Sequence, residues 1–347
     1  MLCITNLTDT PNKKGMPELI CDVNTVFSTY SGELGKVETE LLNLFNSSAL
    51  MIPSIGGHVV RSGGKRLRPL FLVLGAELCG YRGHSRIILA SVIEAIHTAS
   101  LLHDDVVDSA ELRRGRPTAH SIWGNQVVVL VGDFLYSNAL RIAVRLENQK
   151  IMEALSEATA RMTEGELLQL SRIGDPEIKE GEYLQIISAK TGALISAACR
   201  IGAILANKES RYEEALSRFG MKTGMAFQMM DDILDYMAVE SRLGKRPGKD
   251  LEEGKITMPL IYLLQVCNKE EKMEVKAIVT GMGVDKESDD SLARLGSLFR
   301  KYNTIEESMN HAKGLVREAK EELQVFDSSP ASEALFCLAD YALFRSS

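Results

Sequence analysis

The chain has no CxxC pair and no finger-like spacing of metal-binding residues. Cys3, Cys21, Cys79, Cys199, Cys267 and Cys337 are scattered, several within apolar stretches, and read as reduced thiols. It has no excess of basic charge: 40 Lys and Arg against 47 Asp and Glu give a net charge of −7. That excludes a general polyanion-binding surface, and with it nucleic acid as a partner, leaving only local basic sites. There is no apolar leader with a small-residue cleavage site at the N-terminus. The longest apolar runs, such as residues 193–206, are interrupted by Arg200 and fall short of the roughly 20 residues a membrane span needs. These absences point to a soluble, cytoplasmic protein. Several catalytic signatures are missing too. No GxxxxGK[ST] loop and no GxGxxG after a strand support nucleotide binding, and no GxSxG elbow, HExxH helix or cysteine nucleophile motif supports acyl chemistry or zinc hydrolysis.

What is present is a long apolar chain: 347 residues, 45% hydrophobic and 25% charged, enough for a sizeable core. From about residue 35 onward, apolar residues recur at three- and four-residue intervals, as in 87–102, 135–146, 151–170 and 186–205, with little β-type alternation. The reading is all-α. Gly80-Tyr81-Arg82-Gly83, Gly174-Asp175-Pro176, Arg246-Pro247-Gly248 and Ser328-Ser329-Pro330 read as turns between helices rather than linkers. One domain over 31–347 is expected, with residues 1–30 poorly ordered or peripheral.

Two acidic clusters stand out. His103-Asp104-Asp105-Val106-Val107-Asp108 ends one apolar stretch, and Asp231-Asp232-Ile233-Leu234-Asp235 follows Ala226-Phe227-Gln228-Met229-Met230. Each has the form DDxxD. Residues four apart share a helix face, so Asp104 pairs with Asp108 and Asp231 with Asp235. Such like-charge pairs repel by roughly a few tenths of a kcal/mol on an exposed helix and by far more when desolvated, unless a cation neutralises them. Carboxylate oxygen is a hard ligand, and the spacing suits Mg²⁺ that keeps waters and shares phosphate oxygens; neither cluster has the loop pattern of an EF-hand. The alternative is a pair of solvated acidic helix ends, which the apolar flanks oppose. His97 lies seven residues before Asp104, about −20° away on an ideal helix, so its imidazole shares their stripe.

Basic segments match the acids. Gly63-Gly64-Lys65-Arg66-Leu67-Arg68-Pro69 places three cations after a flexible glycine pair, a suitable phosphate clamp. Arg113-Arg114-Gly115 follows the first cluster, and Lys190-Thr191-Gly192 and Gly244-Lys245 supply further donors. Lys190 sits among small residues, where an unpaired charge is costly.

Taken together these segments resemble the trans-isoprenyl diphosphate synthase family, the all-α head-to-tail prenyltransferases. The resemblance rests on GGKRLRP at 63–69, EAIHTASLLHDDVVD at 94–108, RRG at 113–115, GD at 132–133, GELLQL at 165–170, KTG at 190–192, FQMMDDILD at 227–235 and GKDLEEGKITMPL at 248–260. They occur in the family's order and span residues 35–345. The resemblance implies a single helical bundle around a central cavity, a homodimer, and a Mg²⁺-dependent enzyme. Its substrates would be isopentenyl diphosphate and an allylic diphosphate, farnesyl or geranyl. It assigns Asp104, Asp108, Asp231 and Asp235 to metal binding, with Asp105 and Asp232 in support. Lys65, Arg68, His97 and Arg114 match positions for isopentenyl diphosphate; Arg113, Lys190, Thr191, Gln228 and Lys245 match the allylic side. Glu166 and Gln169 match polar positions that hold metal-bound water or substrate. Among these, Asp104, Asp108, Arg113, Lys190, Asp231 and Lys245 would carry the catalysis.

The chemistry explains the residue types. Cleaving the C–O bond of an allylic diphosphate leaves an anion and an allyl cation, and a divalent metal with Arg and Lys stabilises the departing charge. The proton lost after isopentenyl attack can pass to the departing diphosphate, which matches the missing general-base constellation. Ser100 lies one turn before Asp104, and Ala99 flanks it. Short-product relatives often carry aromatic residues at these two places, so the resemblance implies a long, octaprenyl-like product serving quinone side chains. Aligned on GDF at 132–134, the resemblance also implies a deeper floor where relatives place one, at Ala143 and Leu155, with Leu155 rather than Ala143 as the plug. A lipid product would bring transient membrane contact. A terpene cyclase is opposed by the second DDxxD, and a silent partner subunit by the intact acidic and basic sets.

Overall fold

In the computed structural model the described residues are 22–113, 115–241, 249–281 and 289–344. In chain order the helices are α1 (Val23–Thr29), α2 (Ser31–Asn43), α3 (Met51–Arg61), α4 (Leu67–Leu78), α5 (Ser85–Val107), α6 (Ala119–Trp123), α7 (Asn125–Val144), α8 (Gln149–Ser171) and α9 (Glu180–Ile187). After a π-helical turn at Ser188–Gly192 come α10 (Ala193–Leu205), α11 (Ser210–Ser241), α12 (Lys249–Glu252), α13 (Met258–Val266), α14 (Lys269–Thr280), α15 (Asp289–Tyr302), α16 (Thr304–Glu322) and α17 (Pro330–Phe344). A small antiparallel hairpin, β1 (Leu112–Arg113) and β2 (Arg116–Pro117), follows α5. The all-α expectation holds.

Local chemistry sets the helix ends. The side chains of Asn148 and Asn268 accept from the N–H groups of Ile151 and Glu271 at 3.3 and 2.9 Å, satisfying donors that have no partner within their helices. Pro259 occupies the first turn of α13, where its missing N–H costs nothing. One continuous core runs from Val26 to Ala342. Val26 and Tyr30 are buried and α1 packs on α17, so packing begins inside the segment expected to be loose or peripheral.

Helix α10 lies at the centre, against α4, α8 and α11, while α5 packs on α7 and α16 covers α11. The approach of α10 to α4 is backbone to backbone. A Cβ at Gly202 would stand 2.4 Å from the Ala76 nitrogen and 2.5 Å from the Gly75 carbonyl carbon. Only glycine fits there.

Two sequence readings need correction. Ser85–Val107, Asn125–Val144 and Glu180–Leu205 are long and apolar enough, by length and composition, to cross a membrane. In the first and third, 72% and 78% of the most apolar window is buried in the fold, so their apolarity serves the core; in the second the share is 39%. Cys79, Cys199 and Cys267 are free thiols as expected, but Cys337 is disulfide-bonded.

Gly202→Ala is expected to cost about 1–3 kcal/mol, read as a lowered urea midpoint, because the added methyl must part α4 from α10. Gly314→Ala, whose Cβ meets nothing within 4 Å, should be neutral or stabilising. Equal midpoints for the two variants would contradict the close approach.

Candidate active site

Helix α5 sets one wall of a cavity of about 1160 Å³. His97, Ser100 and Asp104 project into it from one stripe of α5, and Asp108, the C-cap residue, completes the row with its N–H donating to the Asp104 carbonyl at 2.8 Å. Asp231, Gln228 and Phe227 reach the same cavity from α11, and Lys190 and Thr191 from the π-helical turn. The two acidic rows therefore share one hollow.

Within each DDxxD the second aspartate turns away from the hollow and is held from behind. Asp105 is buried and accepts at Oδ1 from Arg113 Nε and Nη2, at 2.8 and 2.7 Å. The hairpin after α5 returns Arg113 to that position. Asp232 is buried and accepts from the Tyr183 hydroxyl at 2.6 Å and from Gln228 Nε2 at 2.9 Å. Asp235 accepts from the N–H groups of Lys249 and Asp250, at 3.2 and 2.9 Å, which fastens the start of α12 to α11. Of the six aspartates expected at the metal, Asp104, Asp108 and Asp231 line the cavity.

The cations are equally placed. Lys190 Nζ lies 2.8 Å from Glu166 Oε2 and also donates to Gln169 Oε1. The π-helical turn widens the backbone here, as such turns often do at functional sites. Opposite stands Gly165, where a Cβ would be 2.9 Å from Lys190 Cγ. Thr191 donates to Gln228 Oε1 at 2.8 Å, so Thr191, Gln228, Asp232 and Tyr183 form one chain. Arg68 Nη1 donates to His97 Nε2 at 2.9 Å, and both line the cavity.

Lys65 is not with them. It donates to the Tyr341 hydroxyl and lines a separate cavity of about 620 Å³ beside Val23 and Phe27. Arg66 explains the division: its left-handed backbone, φ +49°, turns Lys65 and Arg68 to different sides. Arg114 and Lys245 lie outside the described residues. Lys255, Glu253, Asp133 and His103 also line the cavity. Lys255 lies within the GKDLEEGKITMPL segment, but spacing alone gave it no role.

Further along, Ala99 and Ser100 are on the wall as expected. Ala143 and Leu155 are fully buried and not part of it; Tyr136, Ser156 and Thr159 are. Neighbouring residues on a helix point about 100° apart, so Leu155 enters the core while Ser156 faces the hollow. The Tyr136 hydroxyl donates to Thr159 Oγ1 at 3.0 Å.

Carboxyls and cations at one end of such a cavity, with small and apolar side chains beyond them, define an isoprenoid-synthase type of enzyme. The chain belongs to the polyprenyl synthetase family, whose profile matches residues 51–295. It is 38% identical over 313 residues to the octaprenyl diphosphate synthase of Haemophilus influenzae, covering 90% of this chain and 94% of that one. Among solved structures, a decaprenyl diphosphate synthase from Rhodobacter capsulatus superposes with a TM-score of 0.88 at 35% identity, covering 93% and 98% of the two chains. A polyprenyl synthase from Caulobacter crescentus, complexed with calcium and isoprenyl diphosphate, superposes with a TM-score of 0.86 at 36% identity, covering 96% and 99%.

Burial, and then the nearby Glu166 charge, push the Asp104 carboxyl up to about 7; burial raises Asp232 to about 6 and, with Asp232 and Asp235 adding to it, Asp250 to about 8. Each of these folded-state values lies above the ordinary carboxyl value. The folded form therefore binds more protons than the unfolded chain, and the stability this confers is lost as pH rises through the folded values. The metal-free protein should accordingly melt at a higher temperature at about pH 6 than at about pH 8, and a divalent cation should narrow the gap by replacing the protons. A metal-free melting temperature that climbs over that interval would contradict the placement of these carboxyls.

Proposed function

We propose that the protein is a long-chain trans-polyprenyl diphosphate synthase, condensing isopentenyl diphosphate with farnesyl or geranyl diphosphate and extending it to an octaprenyl-like chain for quinone side chains. The observation that carries this reading is the meeting of Asp104, Asp108 and Asp231 with Lys190 and Arg113 at one end of a cavity whose wall continues past Ala99 and Ser100.

The donors fit a hard divalent cation. They are carboxylate oxygens, which suit Mg²⁺, an ion that keeps waters and shares substrate phosphate oxygens. Asp104, Asp108 and Asp231 would hold it, and bound there it would neutralise charge developing on the departing diphosphate.

The remaining steps belong to the chain's own groups. Arg113 and Lys190 hold the allylic diphosphate, Lys190 exchanging Glu166 and Gln169 for phosphate oxygens. The hydrogen-bonded chain from Tyr183 to Thr191 holds Thr191 beside the same diphosphate, where its hydroxyl exchanges the Gln228 amide oxygen for a phosphate oxygen. Arg68 and His97 hold the isopentenyl diphosphate across from it. The apolar wall beyond Ala99 excludes water, so the allyl cation meets the isopentenyl double bond instead. The released proton goes to the diphosphate that has just left.

Helix α7 presents Val129, Leu130 and Val144 to solvent, at 38%, 67% and 55% exposure. An apolar strip of that kind fits a second copy of this chain, and a monomer by light scattering would remove that proposal. Val107, Leu167, Leu170 and Ile173 line the cavity and are exposed, an apolar rim suited to brief contact with a membrane in a protein that otherwise works in the cytoplasm.

Purified protein incubated with Mg²⁺, farnesyl diphosphate and labelled isopentenyl diphosphate should yield long-chain products on chromatography. Asp104→Ala and Asp231→Ala should each lower turnover by at least about 10²-fold; wild-type rates would refute the metal assignment. Ala99→Phe should shorten the product, since the ring would occupy the passage; an unchanged length distribution would show that this wall is not the ruler.

A further inference from the structure

We propose that Arg66, which lies outside the main cavity, is the positioning residue for the isopentenyl diphosphate site, acting through a buried ion pair with Glu94. The inference rests on the functional reading above and adds to it a group that never meets substrate.

Arg66 has left-handed backbone geometry, φ +49° and ψ +40°, at the N-cap of α4. A long side chain seldom adopts that conformation, and it persists where the surroundings over-determine it. Here they do. Arg66 Nε donates to Glu38 Oε1 at 3.0 Å, Nη1 to Glu94 Oε1 at 3.0 Å and Nη2 to the Val60 carbonyl at 3.1 Å. One guanidinium thus ties the start of α4 to α2, α5 and the end of α3. The Arg66 and Glu94 side chains are 9% and 7% exposed. Screening by solvent is therefore weak, and the planar fork matters as well as the charge.

The spacing links this clamp to the site. Glu94 lies three residues before His97 on α5, and Arg66 lies two residues before Arg68. Arg68 donates to His97 at 2.9 Å on the cavity wall. The beginning of α4 and the same turn of α5 are thus joined twice, once in the interior by Arg66 and Glu94 and once on the cavity wall by Arg68 and His97. Neither Arg66 nor Glu94 lines the main cavity. Loosening the inner joint lets the outer one drift, and a forked contact to a diphosphate tolerates little drift.

Kinetics on the full-length protein test this. Arg66→Lys keeps the charge and loses the fork; it should raise KM for isopentenyl diphosphate about tenfold, while KM for the allylic diphosphate and kcat at saturation stay within about twofold. Glu94→Gln, whose amide oxygen still accepts from Arg66, should give a smaller rise in the same KM alone. Free guanidinium ion should lower the raised KM of Arg66→Ala. Unchanged KM values in both conservative variants overturn the proposal. So does a parallel rise in both KM values with a lowered melting temperature, which a general structural role would produce. A wild-type protein that turns over neither diphosphate overturns the functional reading and this inference with it; a wild type that works beside an Arg66→Lys variant of equal affinity overturns this inference alone.

Discussion

Carboxylates cannot be withdrawn from water side by side unless something answers their charge, and the structure is arranged around that constraint. Two rows of aspartate face a hollow in a protein interior, where repulsion is screened far less than on a surface. The chain answers part of it internally. Arg113 balances Asp105, the Tyr183 hydroxyl and the Gln228 amide satisfy Asp232, and two backbone N–H groups satisfy Asp235. The part left unanswered is visible in Asp104, whose carboxyl is lifted to about 7. A site that holds a proton so readily is one that a divalent cation stabilises.

Keeping such a site in register needs walls that do not relax, because a flexible chain would splay the carboxyls into solvent. Helices supply the walls, and close backbone packing keeps them stiff. Gly202 lets α10 touch α4, and Gly165 lets α8 approach the π-helical turn that carries Lys190. In both places a methyl group would force a displacement comparable to the tolerance of a charged hydrogen bond. The packing of the core and the geometry of the diphosphate end are therefore one problem.

Much of this was legible in the sequence, and the reason is periodicity. Asp104 and Asp108, and Asp231 and Asp235, are one turn apart, so a helix has to place them together; His97, Ser100 and Asp104 follow from the same spacing. The pattern also gave the helices themselves. What was not legible depended on backbone conformation or on single-residue rotation. Lys65 and Arg68 read as one clamp, but a left-handed residue between them sends Lys65 to Tyr341. No side-chain pattern announces that. The π-helical turn at Ser188–Gly192 is equally silent, since one wide turn inside an apolar run keeps the same composition. Leu155 was expected on the passage from its alignment with relatives, counted from GDF at 132–134. Its neighbour Ser156 holds that place instead, since burial in the core and exposure to a cavity both select against charge but differ in which way the residue faces.

That last point bears on how the cavity measures a product. Helix α8 serves both ends of the hollow: Glu166 meets Lys190 at the polar end, and Ser156 lies ten residues away, about 15 Å along the axis. Between α7 and α8 the Tyr136 hydroxyl donates to Thr159 Oγ1, and Thr159 in turn donates to the Leu155 carbonyl. Hydroxyls whose protons are already donated within the fold present mainly carbon to whatever passes, so polar residue names here do not make a polar wall. On this side the cavity is bounded by a pair of helices joined by a hydrogen bond rather than by one bulky plug. One member of that pair, α7, also carries the apolar strip proposed to meet a second copy. Any shift of α7 on association would move Tyr136 with it, because a helix transmits displacement along its length as a rigid body. Product length and assembly would then share one element, α7.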